Sequence, residues 1–132
     1  MKKLNIVMLG AGSGFVVSIA RELLHDPVFA DAEFRLVDTD PARLASAKKV
    51  VREIFEKAEH PLRIMSTTDR VKAFDGADYV VSSCEKDRYA NWTKDLEIPA
   101  RYGVHQIKGE NGGPGGLIHG SPRPVYMHRH FL

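Results

Sequence analysis

The sequence predicts an α/β fold, a doubly wound parallel sheet with helices on both faces. Three observations predict it. Short apolar runs alternate with helical patterns from Leu4 to Ser82, and that alternation builds βαβ units around a parallel sheet. The first apolar run ends in Gly10-Ala11-Gly12-Ser13-Gly14 and leads straight into a helical pattern. The second ends in an aspartate, Asp38.

Each element has a local reason. Leu4 to Leu9 is an apolar run stopped by glycine, as buried parallel strands are. Phe15 to Leu24 places its apolar residues on one helical face, with Arg21 and Glu22 outside, and His25-Asp26-Pro27 ends it. Glu33 to Val37 is the second strand. Asp40-Pro41 then marks a helix start, with Asp40 as N-cap and Pro41 at the first helical position. That helix is expected over Ala42 to Lys57, with Leu44, Ala47, Val51, Ile54 and Phe55 as its buried stripe. Arg63 to Ser66 is a third strand, Asp69 to Phe74 a short helix, and Asp78 to Ser82 a fourth strand after the turn residues Asp75-Gly76. Beyond Cys84 the pattern weakens. Arg88 to Tyr102 is helical in part, limited by Pro99, and Gly109 to Gly116 is expected to be loop.

Bulk properties exclude several classes of function. The chain of 132 residues is 43% hydrophobic and 27% charged, ordinary for a globular domain with a real core. A net charge of +2, without a basic run carrying interleaved aromatics, argues against nucleic-acid and membrane partners. The one cysteine, Cys84, excludes an internal disulfide and fits a reducing compartment. Lys2-Lys3 followed by an apolar stretch invites a signal-peptide reading, but Asn5 and the glycines interrupt it and no small-x-small cleavage site follows. No stretch is long and apolar enough to span a bilayer, so the cytoplasm is the expected location.

A parallel sheet binds ligands at the carboxyl ends of its strands. Gly10 there permits a tight turn, Gly12 lets the backbone approach a pyrophosphate, and the following helix directs its N-terminal N–H groups at that anion. Ser13 belongs to the same loop. Asp38 is placed to accept from adenosine ribose hydroxyls, which favours NAD over NADP because a carboxylate repels a 2′-phosphate. Two features depart from the usual fingerprint. Phe15 stands where a third glycine would fall, and Asp38 lies further beyond Gly12 than the usual ~20 residues. The long connection from His25 to Ala32 absorbs that difference. Ser82, Ser83 and Cys84 follow the fourth strand on the nicotinamide side; Ser82 is a cofactor candidate, and a small-residue turn is an equal alternative. Cys84, without a partner histidine, reads as a buried small residue and not as a nucleophile.

The second glycine cluster, Gly112-Gly113-Pro114-Gly115-Gly116, lacks the serines of a flexible tether. Glycines around a proline suggest backbone closely approaching a ligand, with Glu110 and Asn111 as the polar groups at its entrance. The pattern resembles the NAD-dependent glycoside hydrolases of family 4, the alpha-glucosidase, alpha-galactosidase and 6-phospho-glycosidase group. The pieces are Gly10-Ala11-Gly12-Ser13, Val37-Asp38-Thr39-Asp40 with Arg43, Thr68-Asp69-Arg70, Gly76-Ala77-Asp78, Asp95 with Ile98-Pro99, Tyr102-Gly103-Val104, and Glu110 to Gly116. They keep the family's order from about residue 4 to residue 120.

The resemblance implies a Rossmann-type domain and an uncommon route of hydrolysis. NAD takes a hydride from C3 of the sugar, the ketone acidifies the C2 proton, a base removes it, the glycosidic oxygen leaves by elimination, and water and hydride then return. A divalent metal, commonly Mn²⁺, polarises the sugar oxygens. This differs from the paired carboxylates of most glycosidases. Carried over by residue, Gly10, Gly12, Ser13 and Asp38 match cofactor positions, Glu110 matches an acid supporting the catalytic base, and Asn111 could face the sugar. The phospho-glycosidase branch has an arginine where this chain has Trp92. An indole binds no phosphate but stacks on sugars, which leans towards a non-phosphorylated glycoside; Trp92 as plain core packing is an equal reading. Arg88, a helical turn earlier, is a substrate-binding candidate.

The resemblance places the metal ligands, a cysteine and a histidine, and the tyrosine base beyond the glycine cluster. The run from Gly120 to Leu132 departs from the family pattern. His119, His128 and His130 could form a replacement metal site, but no acidic or cysteine ligand accompanies them; a divergent tail without a role is the favoured reading. The expected organisation is therefore an NAD-binding domain at 1–108, a glycine-rich active-site loop at 109–120 and a divergent tail at 121–132. The sheet would be truncated before the substrate domain, inactive as an isolated chain, and with an exposed edge that invites homo-oligomers. Two rivals stay open: one half of a malate- or lactate-type dehydrogenase, and a non-catalytic NAD-binding module.

Overall fold

The structure is a computed structural model that describes residues 3–60, 62–84, 87–107 and 113–120, with side chains in the last segment described through Leu117. The chain divides into two compact units, Met1–Cys84 and Glu85–Leu132.

In the first unit β1 (Asn5–Leu9), α1 (Phe15–His25), β2 (Glu33–Val37), α2 (Pro41–Lys57), β3 (Arg63–Thr67), α3 (Arg70–Phe74) and β4 (Tyr79–Ser82) follow one another, with a 3₁₀ turn at Pro27–Phe29. The strands form a four-stranded sheet in the order β3-β2-β1-β4, each pair parallel. The register aligns Leu9 with Val37 on one side and with Ser82 on the other. Strand order therefore runs outward from β1 through β2 to β3, then jumps back across β1 to β4. That reversal is the Rossmann-type switch point, and the expected α/β doubly wound fold is what forms.

Side-chain alternation along the strands sorts the core into two layers. Ile6, Met8, Phe34 and Leu36 face one way and pack against Val16, Ala20 and Leu23 of α1 and Leu44, Ala47, Val51 and Phe55 of α2. Val7 and Val37 face the other way and pack against Ala73, with Phe74 and Ala77 alongside. The expected stripe of α2 is buried except Ile54, which packs half-buried at its margin. Asp40 caps α2 by accepting from the N–H groups of Ala42 and Arg43, and Asp69 caps α3 in the same way. No helix among the described residues is long and apolar enough to cross a membrane.

The second unit holds α4 (Arg88–Ala100) and α5 (Gly113–Gly120). Pro99 lies inside α4, one residue before its end. Here the expectation of a loop through Gly116 is corrected: the chain is helical from Gly113 onward. Glycine's poor helix propensity is overcome by packing. A Cβ on Gly115 would collide with the backbone carbonyl of Asp95, so only glycine lets the segments approach this closely. Pro99 has no N–H to offer the carbonyl four residues back, which is that of Asp95. Gly115 N–H donates to Gln106 Oε1 at 3.0 Å, satisfying a first-turn donor, and Pro114 presets φ in that turn.

Candidate functional site

The first unit builds its site at the carboxyl ends of β1 and β2. After Leu9 the chain turns at Gly10, whose φ of +78° lies in the left-handed region. The N–H groups of Gly10 and Ala11 both donate to the carbonyl of Val37 at 2.9 Å, which ties the loop to the end of β2. A Cβ on Gly10 would strike the backbone carbonyl of Ser83, so the glycine is required by close approach as well as by φ.

Asp38 does more than end β2. Its Oδ2 accepts the Gly12 N–H at 2.7 Å, and its Oδ1 accepts the Asp40 N–H at 3.0 Å. One carboxylate thus holds the glycine loop and the entry to α2 together. Arg43 flanks the same glycine: a Cβ on Gly12 would lie 2.7 Å from Arg43 Cβ and 2.7 Å from Asp38 Oδ2. The Arg43 Nε pairs with Asp40 at 3.6 Å, both side chains largely in solvent. Between α1 and α2 opens a cleft of ≈330 Å³ whose walls include Gly12, Ser13, Val16, Arg43, Ser46 and Val50.

Helix α1 starts differently from α2 and α3. Gly14 stands at its N-cap and supplies no side-chain acceptor. The end of α1 that faces the glycine loop is therefore without the carboxylate that caps α2 and α3, and a bound anion would complement it.

Of the sequence candidates, Gly10, Gly12, Ser13 and Asp38 come together here. Ser82 is the last residue of β4, opposite Leu9, and is exposed. Its neighbour Ser83 is the one that reaches the loop: Ser83 Oγ and Ser13 Oγ are 2.9 Å apart, a hydrogen bond across the switch point. Sequence reasoning grouped the two serines; only their alternation at the strand end separates them. Arg43 was visible only as part of a motif, and its place beside Gly12 follows from the helical turn that begins at Pro41.

Cys84 is exposed, not buried as expected. Its thiol is nonetheless pushed up from the ordinary value, first by desolvation around the sulfur and then by the Asp38 carboxylate, against a hydrogen bond with Ser82. A thiol raised in this way is thiolate to a smaller extent at any given pH.

Arg88 opens α4 in the second unit and is exposed. Trp92 is half-buried, with its indole Nε1 shielded from solvent and without a hydrogen-bond partner among the described residues. Glu110 and Asn111 lie outside the described residues, as do His128 and His130. No group of three or more His, Cys, Asp or Glu among the described residues could hold a metal ion.

The chain is similar to known proteins. The alpha-glucosidase of Erwinia rhapontici is 40% identical over 117 residues, which is 87% of this chain and 26% of that protein. A 6-phospho-alpha-glucosidase from gut microorganisms, in complex with NAD and glucose-6-phosphate, is 27% identical with a TM-score of 0.77, covering 99% of this chain and 29% of that one. A second 6-phospho-alpha-glucosidase structure from gut microorganisms, in complex with NAD and Mn²⁺, shares the fold at a TM-score of 0.76 and 23% identity, covering 96% of this chain and 28% of that one. The chain thus spans about a quarter of the length of the curated relative, 26%. The model of the family 4 glycosyl hydrolases matches residues 5–125, and the chain belongs to that family.

Proposed function

We propose that these residues form the NAD-binding part of an NAD- and metal-dependent glycosidase acting on O-glycosyl bonds. The observation that carries the reading is the Asp38 carboxylate on the Gly12 N–H at 2.7 Å, which presents an ordered glycine loop beneath an α1 terminus that has no cap of its own. Glycine at positions 10 and 12 lets the loop pack against the Ser83 carbonyl and against Arg43 and Asp38, which sets the loop beside the start of α1, where an anion is favoured. The Ser13 hydroxyl and the start of α1 would hold the pyrophosphate, with Gly10 and Gly12 shaping the loop, since their N–H groups already donate to Val37 and Asp38. Asp38 retains lone pairs beyond the two N–H groups it accepts and would take ribose hydroxyls, disfavouring a 2′-phosphate.

NAD, when bound, supplies a hydride acceptor for a sugar carbon, which is what a C3 oxidation followed by C1–C2 elimination and water addition requires. This chain's own residues bind and orient. The loop sets the depth of the pyrophosphate, and the α1 dipole favours its charge. Mn²⁺ or a similar ion enters the proposal through the relative that holds Mn²⁺. The described residues offer no ligand set for it. Glu110 as support of the base, and Arg88 and Asn111 as sugar contacts, remain part of the proposal. A preference for non-phosphorylated glycosides finds no support, because relatives of both kinds match. Glycoside cleavage is proposed for the whole protein, and cofactor binding for these residues, with no turnover expected of the 132-residue chain alone.

Calorimetric titration of the 132-residue chain with NAD and with NADP tests the reading. Saturable binding of NAD, with NADP weaker, is expected. Absence of NAD binding at millimolar concentration overturns it.

A further inference from the structure

We propose that Ser83 is a positioning residue of the dinucleotide site, acting through Ser13 on the bound pyrophosphate; this rests on the NAD-binding reading above. Ser83 touches the glycine loop at two points. Its backbone carbonyl packs where a Gly10 Cβ would be, and its hydroxyl lies 2.9 Å from that of Ser13. Its own N–H donates to the Leu9 carbonyl at 2.8 Å, so its backbone is anchored to β1. The pair is half-buried and bridges the carboxyl ends of β1 and β4, where a doubly wound sheet receives its ligand.

Hydroxyl chemistry then sets the direction of the bond. A pyrophosphate offers only acceptors, and a serine hydroxyl has one proton and two lone pairs. If Ser13 donates to a phosphate oxygen, it has no second proton for Ser83 and must accept from it. Ser83 O–H to Ser13 Oγ, and Ser13 O–H to phosphate, is a two-step chain in which each bond polarises the next. Without the ligand either serine can donate. With an anion on the loop one orientation is selected. Exposed Ser82, the residue expected from the sequence, has no part in this chain.

The test measures NAD affinity and melting temperature for the wild type, Ser13→Ala, Ser83→Ala, the double variant and Ser83→Thr. Ser83→Ala is expected to weaken NAD about fivefold, the worth of one neutral hydrogen bond, with little change in melting temperature. Ser83→Thr should restore binding. The double variant should bind no worse than Ser13→Ala, because the two hydroxyls act in series. The proposal is overturned if Ser83→Ala binds like the wild type, if the two losses multiply, or if coupling shows in the melting temperature and not in affinity. A wild type that does not bind NAD overturns the underlying reading, and this one with it.

Discussion

Gly12→Ala is the perturbation whose consequence the structure sets out most directly. The new Cβ would sit 2.7 Å from Arg43 Cβ, 2.7 Å from Asp38 Oδ2 and 3.2 Å from Arg43 Cδ. The Cδ contact is soft, since that side chain can swing. The Cβ contact is not, because it is fixed in the first turn of α2, which Asp40 caps at 2.8 Å and 3.2 Å. The loop must therefore move away from Asp38, and the 2.7 Å bond from the Gly12 N–H stretches or breaks. A hydrogen bond to a charged group is worth about 1.5–3 kcal/mol. If the loop must regain its place to bind, NAD affinity falls roughly 10- to 100-fold, at about 1.4 kcal/mol per tenfold. Gly12 is not at positive φ, so the loss is one of packing and not of left-handed strain. Titration calorimetry with NAD, alongside thermal melting, reads it. Arg43→Ala in the Gly12→Ala background keeps the offending Cβ and should give no rescue. Wild-type affinity in Gly12→Ala would refute the reasoning.

Other consequences follow from the same geometry. Gly10→Ala combines a left-handed φ of +78° with a collision against the Ser83 carbonyl; left-handed strain alone costs about 1–2 kcal/mol, so the urea midpoint should drop clearly, and an unchanged midpoint would contradict it. Glu33 has its carboxyl held below the ordinary 4.5, first by the Arg35 hydrogen bond and then by the charges of Arg35 and Lys3, against some desolvation. A depressed carboxylate stabilises the fold above its unfolded value and loses that contribution as pH falls through the lower folded value. The stability gap between the wild type and Glu33→Gln should therefore narrow on acidification below pH 4.5, and a gap independent of pH would count against this. Cys84 should alkylate with a pH midpoint above the ordinary 9.0. Asp38→Asn should move that midpoint down by removing the carboxylate's repulsion, so equal midpoints in the two proteins would show that Asp38 does not act on the thiol.

The sequence by itself determined the sheet, its order of elements and the glycine loop after β1. Their causes are local. Alternation within β2 and the stripe of α2 repeat over a few residues, and the Asp40-Pro41 cap acts on the N–H groups of residues 42 and 43. Gly10, Gly12, Ser13 and Asp38 were legible because a strand, a glycine loop, a helix and a terminal acid are read in order. Only the tertiary structure decided the rest. It set Ser83, and not Ser82, against the loop, since the partner hydroxyl on Ser13 is 70 residues away in sequence. It showed that Asp38 ties the loop as well as ending a strand, a bond across 26 residues. It made a helix of Gly113–Gly120, where propensity argued for loop. That helix exists because Gly115 packs on the Asp95 carbonyl and donates to Gln106. Close approach between segments far apart in the chain leaves no periodic trace, and a glycine that serves packing looks, in the sequence, the same as one that serves a turn.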